Sequence, residues 1–209
     1  MRARMALKLA NIEVEIREIS LREKPAHMLQ VSAKGTVPVL VLADGSVIDE
    51  SLEIMCWAFN HARGQNDALQ ANIHEASRLA LECYSPVASI SSTSTLCTLI
   101  LLNDTEFKKN LDGYKYPERF PSKTQTQHRV NGEVFLQQLE NLLQQKPYLF
   151  ASTPSFADYA IFPFIRQFAA VDSTWFAQSD YPKLKAWLDN WIESDLFKNI
   201  MKKNPTCVG

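Results

Sequence analysis

Hydrophobic and polar positions change period twice along the chain. Residues 1–10 are built from strong helix formers, and Met1, Met5 and Leu9 recur every fourth residue, the spacing of one helical face. Residues 12–19 alternate apolar and charged side chains, which predicts a half-buried strand with its even-numbered positions inward. Residues 21–31, interrupted by Pro25, read as a short irregular helix or loop. Gly35-Thr36 leads into the β-branched run 37–42, a second strand. Ala43-Asp44-Gly45-Ser46 carries an Asp-Gly turn signal and residues 47–49 return, so this pair is antiparallel. Glu50-Ser51 then opens a helix whose buried side is Leu52, Ile54, Met55, Ala58 and Phe59.

Gly64-Gln65-Asn66-Asp67 breaks the pattern, and no strand signal follows Ala68. Helical segments are predicted over 69–89, 96–111, 123–145, 156–171, 183–192 and 194–203. The third carries an apolar stripe through Val130, Val134, Leu136, Leu139, Leu142 and Leu143. The Ser/Thr-rich stretch 85–98 reads as a helix break or mobile loop. The pattern predicts an α/β domain over 1–63, a linker over 64–68 and an all-helical domain over 69–209. Its opening helix is an oddity, because a helix cannot begin a βαβ unit without a strand to cross over from.

Composition narrows the class. The chain has 209 residues, 46% apolar and 22% charged, which is ordinary for a soluble globular protein. A net charge of -1 gives no electrostatic reason to expect nucleic acid or an anionic membrane as partner. The apolar runs are too short to span a bilayer, and the first residues do not have the pattern of a secretory signal. Four widely spaced cysteines, with no CxxC and no Cys/His pair at ligand spacing, predict reduced thiols in a cytoplasmic protein and no metal site. Neither GxGxxG nor GxxxxGK occurs, so nucleotide binding by those loops is not expected.

Three stretches carry candidate chemistry. In Thr36-Val37-Pro38-Val39-Leu40 the proline lacks a ladder donor; it either starts an edge strand or forms a cis bond that turns the Val37 main chain toward an extended peptide. In Asp49-Glu50-Ser51-Leu52-Glu53-Ile54, Ser51 fits an N-cap, and the helix start offers free N–H groups to a carboxylate. Glu50 beside it could pair with an ammonium group, or both residues could be a plain cap and a solvated acid. Ser155 and Asp158 form a structural capping box ahead of a helix that Pro163 should bend. The histidines (His27, His61, His74, His128) have no partner at a catalytic spacing. Arg129 and Glu133 form an i,i+4 pair on a solvated face, and Tyr114, Tyr116 and Phe120 read as packing residues.

In their order and spacing, with the break near Gly64, these three stretches resemble the glutathione S-transferase superfamily over essentially the whole chain. The first resembles its proline loop, the second its acidic-Ser glutathione site, and the third the capping box of a core helix. The resemblance implies a thioredoxin-like α/β N-terminal domain, an all-α C-terminal domain and usually a homodimer. It implies glutathione as co-substrate, a small electrophile or disulfide as second substrate, and no metal. Glutathione should meet the Val37 main chain beside cis Pro38, Ser51 through its γ-glutamyl carboxylate, Glu50 through its α-amino group and Lys34 through its glycyl carboxylate. The electrophile should lie between the domains, where Tyr84, Phe107 or Tyr114 could contribute.

In this superfamily the N-terminal domain begins with a strand and a turn carrying a thiol-activating Tyr, Ser or Cys. Residues 1–7 resemble the interior of the helix that follows, so the N-terminal domain is expected to be incomplete, lacking roughly 15 residues that include one strand of about 5. No catalytic residue can therefore be nominated in the sequence. Two strand edges should lose their partner. Residues 1–19 are expected to be displaced, poorly ordered or paired with another chain, while the hairpin over 37–49 survives. The expected function is glutathione-dependent transfer to small electrophiles, or thiol exchange, in a full-length form, with no activity in the chain alone. The alternatives are a non-catalytic protein-interaction or regulatory module on the same fold and, more remotely, no function at all.

Overall fold

A computed structural model describes residues 1–21, 23–62 and 95–206, and these fall into two compact units. The predicted helix 69–89, the linker 64–68 and most of the Ser/Thr-rich stretch lie outside the described residues.

The first unit joins the N-terminal residues to the C-terminal segment beginning at Asp195. Helix α1 (Arg2–Leu9) is ordered and packed, contrary to the expectation that residues 1–19 are displaced. Its Met5 and Ala6 are fully buried, and it lies against α3 (Ser51–His61) and the last helix of the chain, α10 (Asp195–Ile200). The buried face follows Arg2, Ala3, Met5 and Ala6 rather than Met1, Met5 and Leu9. The alternating residues 12–19 do not form the predicted strand. Val14 and Ile16 are exposed, and Glu18 makes a single parallel bridge to Thr206. Alternation suits a strand only when a neighbour supplies the ladder, and none of the described residues does so.

After α2 (Ala26–Val31), the hairpin forms as the Asp-Gly signal predicts, though in shorter strands. β1 (Leu40–Val41) pairs antiparallel with β2 (Val47–Ile48), Leu40 opposite Ile48 and Val41 opposite Val47. Gly45 takes φ +86°, a conformation open to glycine, and Ser46 is fixed by N–H and hydroxyl bonds to Asp44 Oδ1. In α3 the predicted side is buried, with Leu52, Ile54, Met55, Ala58 and Phe59 all inside.

The second unit is helical. α4 (Thr95–Leu102), a π-turn (Asn103–Phe107) and α5 (Lys108–Lys115) run on without a gap, so residues 95–98 are helix rather than a break. α6 (Gln125–Leu143) starts from a capping box between Thr124 and Gln127. Its buried face runs through His128, Gly132, Phe135, Leu136, Leu139, Glu140 and Leu143, whereas Val130 and Val134 of the predicted stripe face water. α7 (Phe156–Ala169) contains Pro163 and is followed by α8 (Ser173–Gln178), a helix the periodicity does not predict, and α9 (Pro182–Glu193).

Phe107, Phe135 and Phe168 stack at the centre with centroids 4.8 and 5.2 Å apart, and Tyr114 packs on Phe168. Phe107 and Tyr114 are thus core residues of this unit. Two buried carboxylates tie the helices. Glu140 of α6 accepts the Leu184 N–H at 2.8 Å and the Lys183 N–H at 3.2 Å, capping α9 from a neighbouring helix. Asp158 accepts from Leu149 N, Ser155 N, Ser155 Oγ and Trp187 Nε1.

Cys56 is free and buried in α3, but Cys97 is disulfide-bonded. The prediction of reduced thiols throughout does not hold, because spacing along the chain does not report which cysteines packing brings together. Among the described residues no helix is long and apolar enough to cross a membrane. Nor does any group of three or more His, Cys, Asp and Glu among them suit a metal ion.

Candidate functional site

The candidate site lies at the end of the hairpin from which α3 starts. The β1–β2 register explains the convergence. Leu40 opposite Ile48 closes the ladder, so the turn chemistry of residues 43–46 carries the proline loop before Leu40 and the start of α3 after Ile48 to the same end of the hairpin. The Val37–Pro38 bond is cis, and Val37 is exposed while Pro38 is half-buried. Gly35, at φ +58°, turns the chain into this loop; a Cβ there would come within 3.0 Å of Leu29 Cδ2.

α3 begins at Ser51, with Glu50 as the N-cap residue and no side-chain cap bond, one position earlier than the N-cap assignment of Ser51 predicts. The Ser51 hydroxyl is therefore not consumed by its own helix. Arg2 at the start of α1 is buried and directs Nη1 to Ser51 Oγ at 3.5 Å. The first-turn N–H groups of α3, the Ser51 hydroxyl and a guanidinium share one neighbourhood, which favours negative charge.

Lys34 reaches across from the proline loop. Its Nζ lies 2.8 Å from Glu50 Oε1 and 3.1 Å from Asp49 Oδ1, and Asp49 Oδ2 accepts from Ser32 Oγ at 2.8 Å. The bonds to Glu50 and Asp49 push the Lys34 amine up. The bonds from Ser32 and Lys34 hold Asp49 below the usual carboxylate range. Lys34 and Glu50 are each more than half exposed, so their pair is weak and readily exchanged. Asp49 and Arg2 escaped the sequence reading. Asp49 stands beside an acid with a sharper role, and Arg2 in a helix of mixed charge gives no sign of burial.

Lys34, Glu50 and Ser51 thus share one end of the hairpin with Val37 and Pro38, whereas Ser155 and Asp158 belong to the core of the helical unit. The capping box is present: Asp158 Oδ2 accepts from Ser155 N at 2.8 Å and from Ser155 Oγ at 2.5 Å. In the first unit's described residues the remaining thiol is that of Cys56. Burial, and secondarily the Glu53 charge, pushes it up to about 11, so it stays protonated and a poor nucleophile at neutral pH.

Residues 1–60 match the family model described as glutathione S-transferase, N-terminal domain, and residues 128–190 match that described as glutathione S-transferase, C-terminal domain. Solved structures agree in fold. BphK, a bacterial GST determined as a ternary complex, is 20% identical with a TM-score of 0.71, over 96% of this chain and 92% of that one. Gtt2 from Saccharomyces cerevisiae is 19% identical with a TM-score of 0.64, over 96% and 94%. Glutathione transferase F7 from Populus trichocarpa is 16% identical with a TM-score of 0.71, over 95% and 91%. A thioredoxin-like α/β unit and a helical unit, each matched by its own family model in the family's order, place this chain in the glutathione S-transferase superfamily.

Proposed function

We propose that the chain binds glutathione at the hairpin end where α3 begins. The γ-glutamyl carboxylate sits on the Ser51 hydroxyl and the first N–H groups of α3. Its α-amino group pairs with Glu50, the cysteinyl main chain runs along Val37 beside Pro38, and the glycyl carboxylate meets Lys34. One observation carries the reading: the ligand-free site already holds the two charges such a tripeptide needs, Lys34 and Glu50, paired 2.8 Å apart. Binding exchanges that weak solvated pair for one partner on each of two ligand charges, and the third charge, the γ-glutamyl carboxylate, falls to the Ser51 hydroxyl and the positive end of α3.

Binding and catalysis separate here. Thiol attack requires the thiolate, and a hydroxyl donor, a cation or a helix N-terminus is what lowers a thiol pKa. Cys56, buried and raised, is not the nucleophile. In this reading the chain by itself binds glutathione without conjugating it; the family's transfer to a small electrophile or exchange with a disulfide needs a thiol-activating group, and no described residue is proposed for that role. A homodimer is the setting this reading carries.

Retention on glutathione resin with elution by free glutathione, followed by calorimetric titration of the Ser51→Ala variant, tests the reading. Loss of one charge-assisted hydrogen bond is worth about 1.5–3 kcal/mol, or roughly 10- to 100-fold in affinity. The fold should not change, because Ser51 caps nothing. Absence of saturable glutathione binding by the unmodified chain would refute the proposal, and turnover of a chromogenic aryl halide would refute its catalytic half.

A further inference from the structure

The helical unit holds a pocket of its own. A pocket of about 440 Å³ opens between the end of α5, the first turns of α6 and the turn joining α7 to α8. Tyr114, Thr126, Arg129, Asp172 and Ser173 line it with Gln125. Tyr114 is 3% exposed, and its hydroxyl is buried with no hydrogen-bond partner. A buried phenol left in this state costs free energy, so the pocket is short of a polar atom.

The charges around that hydroxyl are the second observation. Burial pushes the phenol up, and the Asp172 and Glu133 charges add to that push; Arg129 opposes it, by its charge and as the nearby donor to the phenol oxygen, which leaves the O–H itself without an acceptor. Arg129 is held from its other sides: its guanidinium lies 4.7 Å over the Trp175 ring and Nε meets Glu133 Oε1 at 3.3 Å. Asp172 uses Oδ1 to cap α8 through Trp175 N–H at 2.9 Å and makes no ion pair among the described residues. Opposite charges therefore line one small cavity with the Tyr114 hydroxyl, and no ion pair joins them among the described residues.

The geometry points to a binding site for a small zwitterion of the free amino acid type. Its carboxylate accepts from the Tyr114 hydroxyl and Arg129, and its ammonium group donates to Asp172. A simple anion leaves Asp172 as a repelling charge, and a simple cation leaves the Tyr114 and Arg129 donors unmet. Only a ligand carrying both groups satisfies all three side chains. The lining is almost wholly polar, which suits a ligand with little apolar body.

The test is a titration with glycine, acetate and methylammonium, read by the indole N–H resonance of Trp175 in nitrogen-15-labelled protein. Glycine should saturate and shift Trp175, with acetate and methylammonium each at least about tenfold weaker, the equivalent of one hydrogen bond or ion pair lost. Tyr114→Phe removes only the hydroxyl, and Asp172→Asn keeps the helix cap, since asparagine caps as well as aspartate. Each should weaken glycine about tenfold without changing the thermal midpoint by more than a few degrees. Ser51→Ala should leave the Trp175 response to glycine unchanged, which separates this site from the glutathione site. The inference is overturned if glycine does not saturate, if acetate or methylammonium binds as well as glycine, or if Tyr114→Phe leaves affinity unaltered.

Discussion

Replacing Asp158 with asparagine should unfold the helical unit several degrees early. The carboxylate is fully buried and accepts four hydrogen bonds. Oδ1 takes Leu149 N at 3.0 Å and Trp187 Nε1 at 2.8 Å, and Oδ2 takes Ser155 N and Ser155 Oγ. An asparagine of the same shape offers one acceptor oxygen. In its better orientation it keeps Leu149 and Trp187 and turns its NH₂ toward Ser155, whose hydroxyl can rotate to accept but whose N–H cannot. One buried donor is left unpaired, at about 1–3 kcal/mol, and two surviving bonds lose the roughly twofold advantage of a charged acceptor, at about 0.5–1 kcal/mol each. Burial raises the Asp158 carboxyl, so the neutral amide recovers part of a desolvation cost and the total settles at about 2–4 kcal/mol. In a chain of this length that corresponds to a midpoint lowered by about 4–16 °C. Far-UV circular dichroism on heating, with urea unfolding at pH 7, measures it. A variant within about 0.5 kcal/mol of the parent would show that the second carboxylate oxygen does not hold the capping box and the Trp187 contact together, and the hub described here would be wrong.

Glu140→Ala strips the N–H groups of Lys183 and Leu184 of their acceptor, and should cost about 1–3 kcal/mol with faster amide exchange at Leu184 before any other residue of α9. Gly132→Ala would set a Cβ within 2.5 Å of Phe168 Cε2. The ring is already wedged between Phe107 and Tyr114, so urea unfolding should report an overpacking loss of about 1–3 kcal/mol. The Cys56 thiol is raised from 9.0 to about 11 in the fold. Its contribution is therefore complete below pH 9 and lost as pH rises from about 9 to about 11, and Cys56→Ala should abolish that part of the alkaline decline in urea-unfolding free energy. The same burial should leave Cys56 inert to Ellman's reagent at pH 8 until denaturant is added.

What the sequence by itself determined was what lies within a few residues. The Asp44-Gly45 turn, the buried side of α3 and the Ser155–Asp158 capping box each depend on spacings of two to four positions, and each is found where the pattern puts it. What only the tertiary structure decided depends on neighbours distant along the chain. Residues 12–19 have a strand's alternation but, among the described residues, only one bridge, from Glu18 to Thr206, so no strand forms. The stripe of α6 shifts from Val130 and Val134 to His128 and Gly132, because the helix is oriented by the aromatic cluster it meets and a close approach of Phe168 needs a glycine. The helix predicted over 194–203 forms over Asp195–Ile200 and joins the first unit because α1 offers it an apolar surface. At the candidate site, Ser51 and Glu50 are legible as a helix start, but their meeting with Lys34, Asp49 and Arg2 comes from the hairpin register and the packing of α1. Charges acquire partners through space, and periodicity along the chain carries no record of those distances.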